Sequence, residues 1–249
     1  MGDASAYKPM MSEARAKRLR KWHDEGNRDM RESLPRRMFY LGVELRIPKD
    51  VFLPSGGGSF HQLVRDEVKP TDRVLDMGTG SGISAILAAK TASDVVAVDV
   101  NPKAVEAAAA NAALNGVADR ISFHPSDVFD AVEGRFDLII IDPPFRWFKA
   151  RDLLELGTAD ENYRALTRFM MEARDHLRPG GRIVLHFGTS GDIDYLYHLI
   201  DLAGFAKETL ATEQLTRDDL AVTYYVFRLT PGAAGPKGPA SPQAQRASE

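Results

Sequence analysis

From residue 73 to residue 187 the chain alternates short apolar runs with longer stretches of helix-forming residues. The apolar runs are 73–76, 95–100, 121–124, 136–142 and 182–187. Each is too short for a helix and is rich in Val, Ile, Leu and Phe, the pattern of strands buried on both faces. Between them lie helical stretches at 83–90, Pro102–Leu114 and roughly 161–177. Pro102 suits a first helical turn and Asn115-Gly116 a stop, while the alanine-rich run 104–113 is a strong helix former. Leu177-Arg178-Pro179-Gly180-Gly181 reads as a tight turn before the fifth strand. Strands alternating with helices predict a parallel sheet wrapped on both faces. After a helix at 192–203 the pattern changes, because 205–212 and 221–229 are β-like with no helix between them. They should pair antiparallel at the sheet edge. The expected fold is α/β, a doubly wound, mostly parallel seven-stranded sheet with an antiparallel C-terminal edge hairpin.

The flanks read differently. Residues 1–37 form a basic helical extension, with the helix itself at 12–33. Residues 38–70 hold a short hairpin at 39–52, punctuated by Gly42 and Pro48, then a glycine loop and a helix at 61–68. The loop Pro54-Ser55-Gly56-Gly57-Gly58-Ser59 suits a mobile lip beside a ligand. Residues 71–230 make the main domain, and 231–249, composed of Gly, Pro, Ala, Ser and Gln with little to bury, read as a disordered tail.

Composition narrows the class without choosing a chemistry. The 249 residues contain 44% hydrophobic and 27% charged side chains, ordinary for a globular protein. No cysteine is present, which removes disulfides and thiolate metal sites. No apolar stretch reaches the length of a membrane span, and the N-terminus lacks the apolar core of a signal peptide, so a cytoplasmic location is expected. The net charge of −3 is unevenly spread: residues 1–37 hold ten Lys/Arg against six Asp/Glu. That head could touch nucleic acid or an acidic partner, or be a solvated helix face. His23, His61, His124, His176, His186 and His198 lack ligand spacing, and no metal is expected.

Candidate chemistry gathers at strand ends. Asp76-Met77-Gly78-Thr79-Gly80-Ser81-Gly82 follows the first strand and opens a helix. Glycines let a ligand approach the backbone with no Cβ in the way. A dinucleotide fingerprint needs a third glycine at position 83, which is Ile83, so the spacing disfavours NAD. Asp99 ends the second strand, where a carboxylate can accept both ribose hydroxyls; an acid there also occurs in NAD enzymes. Asp142-Pro143-Pro144-Phe145 ends the fourth strand. Asp142 can accept one N–H of a target amino group, and a neighbouring carbonyl, that of Pro143, another. The paired prolines stiffen the turn. Phe145 offers an aromatic face to a flat substrate or to positive charge developing on nitrogen. Arg146, Trp147 and Phe148 follow as lining for an acceptor pocket, with Trp147 able to stack on a flat ring.

The glycine turn resembles the first motif of class I, Rossmann-like S-adenosylmethionine-dependent methyltransferases. Asp-Pro-Pro-Phe resembles the (Asn/Asp/Ser)-Pro-Pro-(Tyr/Phe/Trp) signature of their amino-methylating branch, which includes release-factor glutamine, adenine-amino DNA and guanine-amino rRNA methyltransferases. Val51-Phe52-Leu53-Pro54 resembles the segment that precedes the cofactor domain in the small-domain branch. The resemblance covers roughly residues 48–190. It implies S-adenosyl-L-methionine as cofactor, held by Asp76, Gly78, Thr79, Gly80, Gly82, Asp99, Val100, Ser126, Asp127, Val128 and Asp142. It also implies that Asp127 accepts from the adenine amino group and that Asp76 faces the methionine amino group; either aspartate could instead be a turn former. Catalysis falls to Asp142, Pro143, Pro144 and Phe145, and substrate binding to Phe145 and Trp147.

One departure bears on the acceptor. Glutamine methyltransferases carry Asn and Tyr where this chain has Asp142 and Phe145. An Asn amide both accepts and donates, whereas an ionised carboxylate only accepts and would repel an amide carbonyl. A small-molecule amine is therefore the favoured partner, with rRNA guanine or protein glutamine as alternatives. A cofactor-binding scaffold without catalysis is the reading from another class. O-methylation would need a base, for which His186 at a strand end is the candidate.

Overall fold

The computed structural model describes residues 7–54, 58–217, 220–233 and 235. The chain opens with α1 (Glu13–Ser33), the hairpin strands β1 (Arg36–Tyr40) and β2 (Val43–Ile47), and α2 (Phe60–Glu67). The alternating region follows as β3 (Arg73–Met77), α3 (Ile83–Ala89), β4 (Asp94–Asp99), α4 (Pro102–Leu114) and β5 (Ile121–Pro125). It continues with β6 (Phe136–Ile141), α5 (Arg164–Glu172), β7 (Leu177–Gly188) and α6 (Ile193–Leu202), and ends in β8 (Phe205–Arg217) and β9 (Leu220–Pro231).

The main sheet has seven strands in the order β5-β4-β3-β6-β7-β9-β8. Pairing from β5 to β7 is parallel, and β9 joins β7 and β8 antiparallel. The expected doubly wound sheet with a C-terminal edge hairpin is the fold observed. Val74, Leu75, Leu138, Ile139 and Ile140 are fully buried, as strands covered on both faces must be. Strand order reverses between β3 and β6, and there Met77 pairs with Ile141. The chains leaving at Gly78 and Asp142 therefore emerge side by side from the carboxyl edge. A doubly wound sheet opens its ligand crevice at such a reversal.

Several elements depart from the sequence expectation. Residues 177–181 belong to β7 instead of a turn. Gly180 takes φ +77°, and a Cβ on Gly181 would sit 2.9 Å from the Phe136 carbonyl oxygen, so the glycines let the strand bulge and resume pairing with β6. The helix expected over 161–177 is α5 flanked by single 3-10 turns, because Asn162 and Tyr163 adopt φ +56° and +51°. Strands β8 and β9 run past their apolar stretches, carrying polar residues such as Glu213, Gln214 and Thr216 that no hydrophobic pattern marks. Pro231, expected in the tail, closes β9. Residues 234 and 236–249 of that tail, and Ser55, Gly56 and Gly57 of the expected lip, lie outside the described residues.

The β1–β2 hairpin turns at Leu41 and Gly42, both with positive φ, the conformation that matches strand twist in a two-residue loop. It docks on α4 through Asn111 and Asn115, whose side-chain oxygens accept from the Arg46 and Glu44 backbone N–H groups. Helix α1 buries Leu19, His23 and Asn27, a stripe at four-residue spacing. Much of its positive charge is used internally. Arg15 donates to the Thr189 carbonyl, Arg31 pairs with Asp152 at 2.6 Å, and Arg20 lies 3.7 Å over the Phe148 ring. Tyr7, ahead of the helix, donates to Asp192 at 2.5 Å. Among the described residues no helix is long and apolar enough to cross a membrane.

Candidate active site

The glycine turn after β3 is fixed by backbone bonds. Gly78 and Thr79 N–H both donate to the Val98 carbonyl at 2.8 and 2.9 Å, and Gly82 N–H donates to Thr79. Gly78, Gly80 and Gly82 have φ of +76°, +54° and +87°, the left-handed region that favours glycine. Gly78 and Gly80 face open space, whereas a Cβ on Gly82 would meet Ala108 of α4 at 2.9 Å. The first two leave room for a ligand; the third lets two helices close.

Around this turn lies a cavity of about 390 Å³ lined by Asp76, Gly78, Thr79, Gly80, Asp99 and Val100, by Ser126, Asp127 and Val128, and by Asp142, Pro143 and Pro144. Asp76 is buried, and its Oδ2 accepts from Thr79 Oγ1 at 2.7 Å and Ala85 N–H at 3.1 Å. Burial pushes its pKa up to about 7; these hydrogen bonds oppose the rise, and the charges of Asp99 and Asp142 add to it. Asp99 accepts from Gly80 N–H at 2.9 Å and Asn101 N–H at 2.8 Å, and burial raises its pKa too. Ser126 Oγ holds the next turn by donating to the Val128 carbonyl, which leaves Val128 at φ +51°. The Asp127 carboxylate accepts from Arg164 at 2.9 Å. This cavity gathers the carboxylates of Asp76, Asp99, Asp127 and Asp142, and neither the buried Asp76 nor the half-buried Asp99 has a cationic partner among the described residues, which fits a ligand that brings its own positive charge. S-adenosylmethionine, with a sulfonium and an ammonium group, is such a ligand. The open Gly78 and Gly80 wall and the buried, unpartnered Ser81 hydroxyl fit it as well.

A second cavity, of about 550 Å³, shares Phe52, His61, Asp142, Pro143 and Gly157 with the first. Its other walls come from α1 (Trp22, His23, Asn27), the loop after β6 (Phe145, Arg146) and the β8–β9 hairpin (Glu213, Tyr224). At the junction His186 Nδ1 lies 2.9 Å from Asp142 Oδ1. An ionised carboxylate only accepts, so Nδ1 donates. The His186 ring stacks on Phe60 at 5.0 Å and meets Phe145 edge-on at 5.3 Å. His61 and His23 are buried, and desolvation lowers both to about 4, so both are neutral near pH 7. The loop itself is pinned from behind. Tyr163 Oη donates to the Phe145 carbonyl at 2.7 Å and accepts from Asp192 N–H, and a Cβ on Gly191 would fall 2.4 Å from that carbonyl oxygen.

The structure thus brings the residues expected to bind cofactor to one cavity wall, except Gly82, which packs behind it. Asp142 and Pro143 stand between the two cavities, Pro144 faces the first and Phe145 the second. Trp147 lines neither; it packs against Tyr7, Phe148 and Tyr163, and Trp22 of α1 stands in the second cavity instead. Sequence reasoning did not reach His61, Trp22, His23, Tyr224 or the Asp142–His186 pair. The last had a usable signal: Ile141 pairs with Leu185, so residues 142 and 186 must be neighbours once β6 and β7 are adjacent. Among the described residues no group of three or more His, Asp or Glu is arranged to hold a metal ion.

Comparison with known proteins agrees with this geometry. The model of the family described as "Methyltransferase small domain" matches residues 60–190. The release factor glutamine methyltransferase of Cereibacter sphaeroides is 36% identical over 61% of this chain, which spans 59% of that relative's length. A protein of Methanocaldococcus jannaschii, provisionally named a protein N5-glutamine methyltransferase, is 31% identical over 73% of this chain and 94% of its own. The crystal structure of the M. jannaschii tRNA m1G37 methyltransferase superposes with a TM-score of 0.59 at 23% identity, covering 79% of this chain and 54% of that one. The ribosomal protein L11 methylase of Lactobacillus delbrueckii subsp. bulgaricus does so with a TM-score of 0.56 at 23% identity, covering 76% and 85%. At these identities the two structures establish the fold. With the family model spanning more than half of the chain and a relative matched over nearly its whole length, the chain belongs to the methyltransferase small-domain family, S-adenosylmethionine-dependent methyltransferases of the class I fold.

Proposed function

We propose that the chain transfers a methyl group to an amino nitrogen held at Asp142, in the aromatic cavity beyond the cofactor site. The observation that carries this reading is the shared wall: Asp142 and Pro143 line both cavities, so a nitrogen bound there faces the cofactor side. Asp76, Gly78, Gly80 and Asp99 would hold S-adenosylmethionine, which when bound supplies an electrophilic methyl group on a positively charged sulfur. The remaining work is positioning, which can supply much of the acceleration of an in-line displacement. Asp142 accepts one N–H and turns the nitrogen lone pair toward the first cavity. His186, donating to Oδ1, leaves Oδ2 for the substrate and keeps the carboxylate oriented. The methylated nitrogen must shed a proton, and the Asp142–His186 pair is the acceptor within reach. Phe145 and Phe60 exclude water, and Phe145 presents a π face to the developing charge.

A small amine-bearing substrate fits best, because the chain's own α1 and hairpin wall the cavity and because Asp142 suits an amine better than an amide. A protein glutamine is the second reading, favoured by the names of the relatives above. Methyl-labelled S-adenosylmethionine supplied with small-molecule, protein and RNA pools tests the two, with Asp142→Ala as control. Label in the small-molecule pool that vanishes in the variant supports the first reading. Label in protein alone supports the second, and label in RNA contradicts both.

A further inference from the structure

The acceptor cavity contains a guanidinium with no ion-pair partner among the described residues. Arg146 follows the Asp-Pro-Pro-Phe segment directly, with its backbone tied to the 158–160 strand-like stretch: Arg146 N–H donates to the Thr158 carbonyl, and Asp160 N–H to the Arg146 carbonyl. Its side chain reaches into the cavity wall. Nη1 donates to the buried Ser190 Oγ at 3.0 Å, and the guanidinium lies 5.7 Å from the Trp22 ring centre. Nε is buried with no partner. Among the described residues no carboxylate pairs with it. Other shielded arginines in this chain behave differently: Arg182 holds Asp72 at 2.8 Å, Arg168 holds Asp130 at 2.5 Å, and Arg228 pairs with Glu67 and Glu208. Burial pulls the Arg146 pKa down, and the groups that oppose this are the hydroxyls of Tyr224 and Tyr163, not an acid.

Two carboxylates border the cavity, and each has a partner other than Arg146. Asp142 accepts from His186, and Glu213 accepts from Ser59 N–H at 2.5 Å. His23 beside Arg146 is neutral, its pKa lowered by burial and then by the Arg146 charge. The Arg146 guanidinium therefore stands in the cavity wall with no ion-pair partner among the described residues, while the two carboxylates of the cavity, Asp142 and Glu213, are hydrogen-bonded elsewhere. A half-buried charge left without an ion pair still carries a desolvation cost, and a fork of N–H donors matches a carboxylate in shape as well as sign.

We propose that Arg146 is an anion receptor, and that the acceptor substrate carries a carboxylate which Arg146 binds while Asp142 holds the amine. The inference rests on the reading of this cavity as the acceptor site. It specifies the substrate class as an amino acid or aminoaryl acid. A single cation matches one negative charge; a phosphate dianion would bring a second charge into an apolar enclosure and leave it unmatched.

The only tryptophans in the chain are two, Trp22 and Trp147, one in the cavity and one in the layer behind it, so intrinsic fluorescence reads occupancy directly. Benzoate, benzamide and phenyl phosphate are titrated against the wild type and Arg146→Met. Benzoate is expected to bind the wild type at least about tenfold more tightly than benzamide, the scale of one charge-assisted hydrogen-bond pair. In Arg146→Met the ratio should fall to about one, and Arg146→Lys should restore part of it. A wild-type ratio near one, an undiminished ratio in Arg146→Met, or tighter binding of phenyl phosphate overturns the assignment. Should Arg146→Met fail to fold by thermal unfolding, Arg146→Gln replaces it, and the wild-type ratio still decides. Methyl transfer to 4-aminobenzoate and 4-aminobenzamide is followed in parallel. Arg146-dependent benzoate binding without transfer to any amine would refute the methyl-acceptor reading and leave the anion site standing. Transfer with no carboxylate preference would do the reverse.

Discussion

Gly80 and Gly82 are two residues apart, both at positive φ, yet alanine at each should fail for different reasons. At Gly82 the new Cβ would lie 2.9 Å from both Cα and Cβ of Ala108, with φ at +87°. The left-handed backbone costs an L-residue roughly 1–2 kcal/mol. The obstacle is the backbone of α4, which cannot swing aside, and overpacking of this kind costs about 1–3 kcal/mol more. The combined loss of roughly 2–5 kcal/mol corresponds to a drop in Tm on the order of 10 °C for a chain of this size. At Gly80 the φ is +54° and nothing lies within 4 Å, so only the backbone cost of roughly 1–2 kcal/mol applies. There the Cβ would enter the space assigned to the cofactor, weakening S-adenosylhomocysteine binding by about tenfold or more. Calorimetric unfolding of the ligand-free proteins and isothermal titration with S-adenosylhomocysteine separate the two effects. Equal melting of the two variants would refute the tight α3–α4 approach. Unchanged binding by Gly80→Ala would refute the placement of the cofactor against the glycine turn.

Three further outcomes follow from the same structure. Arg182 is buried between Asp72 and Glu67, so Arg182→Met should cost about 3–5 kcal/mol in urea unfolding, and adding Asp72→Leu should recover much of it; no recovery would mean the pair is not the cause. The folded chain holds a proton on Asp76 up to about pH 7. This group's stabilising contribution is therefore complete below the ordinary carboxylate pKa near 3.8 and is lost as pH rises through about 7, while affinity for the cationic cofactor rises roughly tenfold per pH unit up to that point. Titrations between pH 5 and 8 should show that slope, and Asp76→Asn should flatten it; an unchanged slope in the variant would assign it to another group. His186→Gln should lower kcat by about tenfold or more while leaving S-adenosylhomocysteine affinity unchanged, because it acts on the orientation of Asp142 and on the departing proton. A change confined to cofactor affinity would place His186 outside the acceptor chemistry.

The sheet was legible because parallel strands buried on both faces leave uninterrupted apolar runs, as 136–141 does, and because glycine and proline punctuate their ends. What was not legible is what depends on contacts distant in sequence. The Gly180-Gly181 bulge looks like a turn locally, and only the Phe136 carbonyl against it makes it a strand. Asn162 and Tyr163 carry no glycine to mark their positive φ; the tie of Tyr163 to the Phe145 carbonyl and Asp192 accompanies it. Trp22 stands where Trp147 was expected, because Trp147 packs on Tyr7, Phe148 and Tyr163 and leaves that wall to α1. Arg146 was legible as lining, but its lack of an ion-pair partner among the described residues belongs to the folded cavity alone.

The central claim is that the methyl group goes to nitrogen and that Asp142 holds that nitrogen. Carbon-13 methyl-labelled S-adenosylmethionine, given to wild type and Asp142→Ala with the accepting pool, tests it through the chemical shift of the product methyl carbon. The account predicts an N-methyl resonance in the wild type and its loss in Asp142→Ala at S-adenosylmethionine concentrations that saturate both proteins. An O-methyl or C-methyl resonance, or an N-methyl signal of equal rate in the variant, would contradict it.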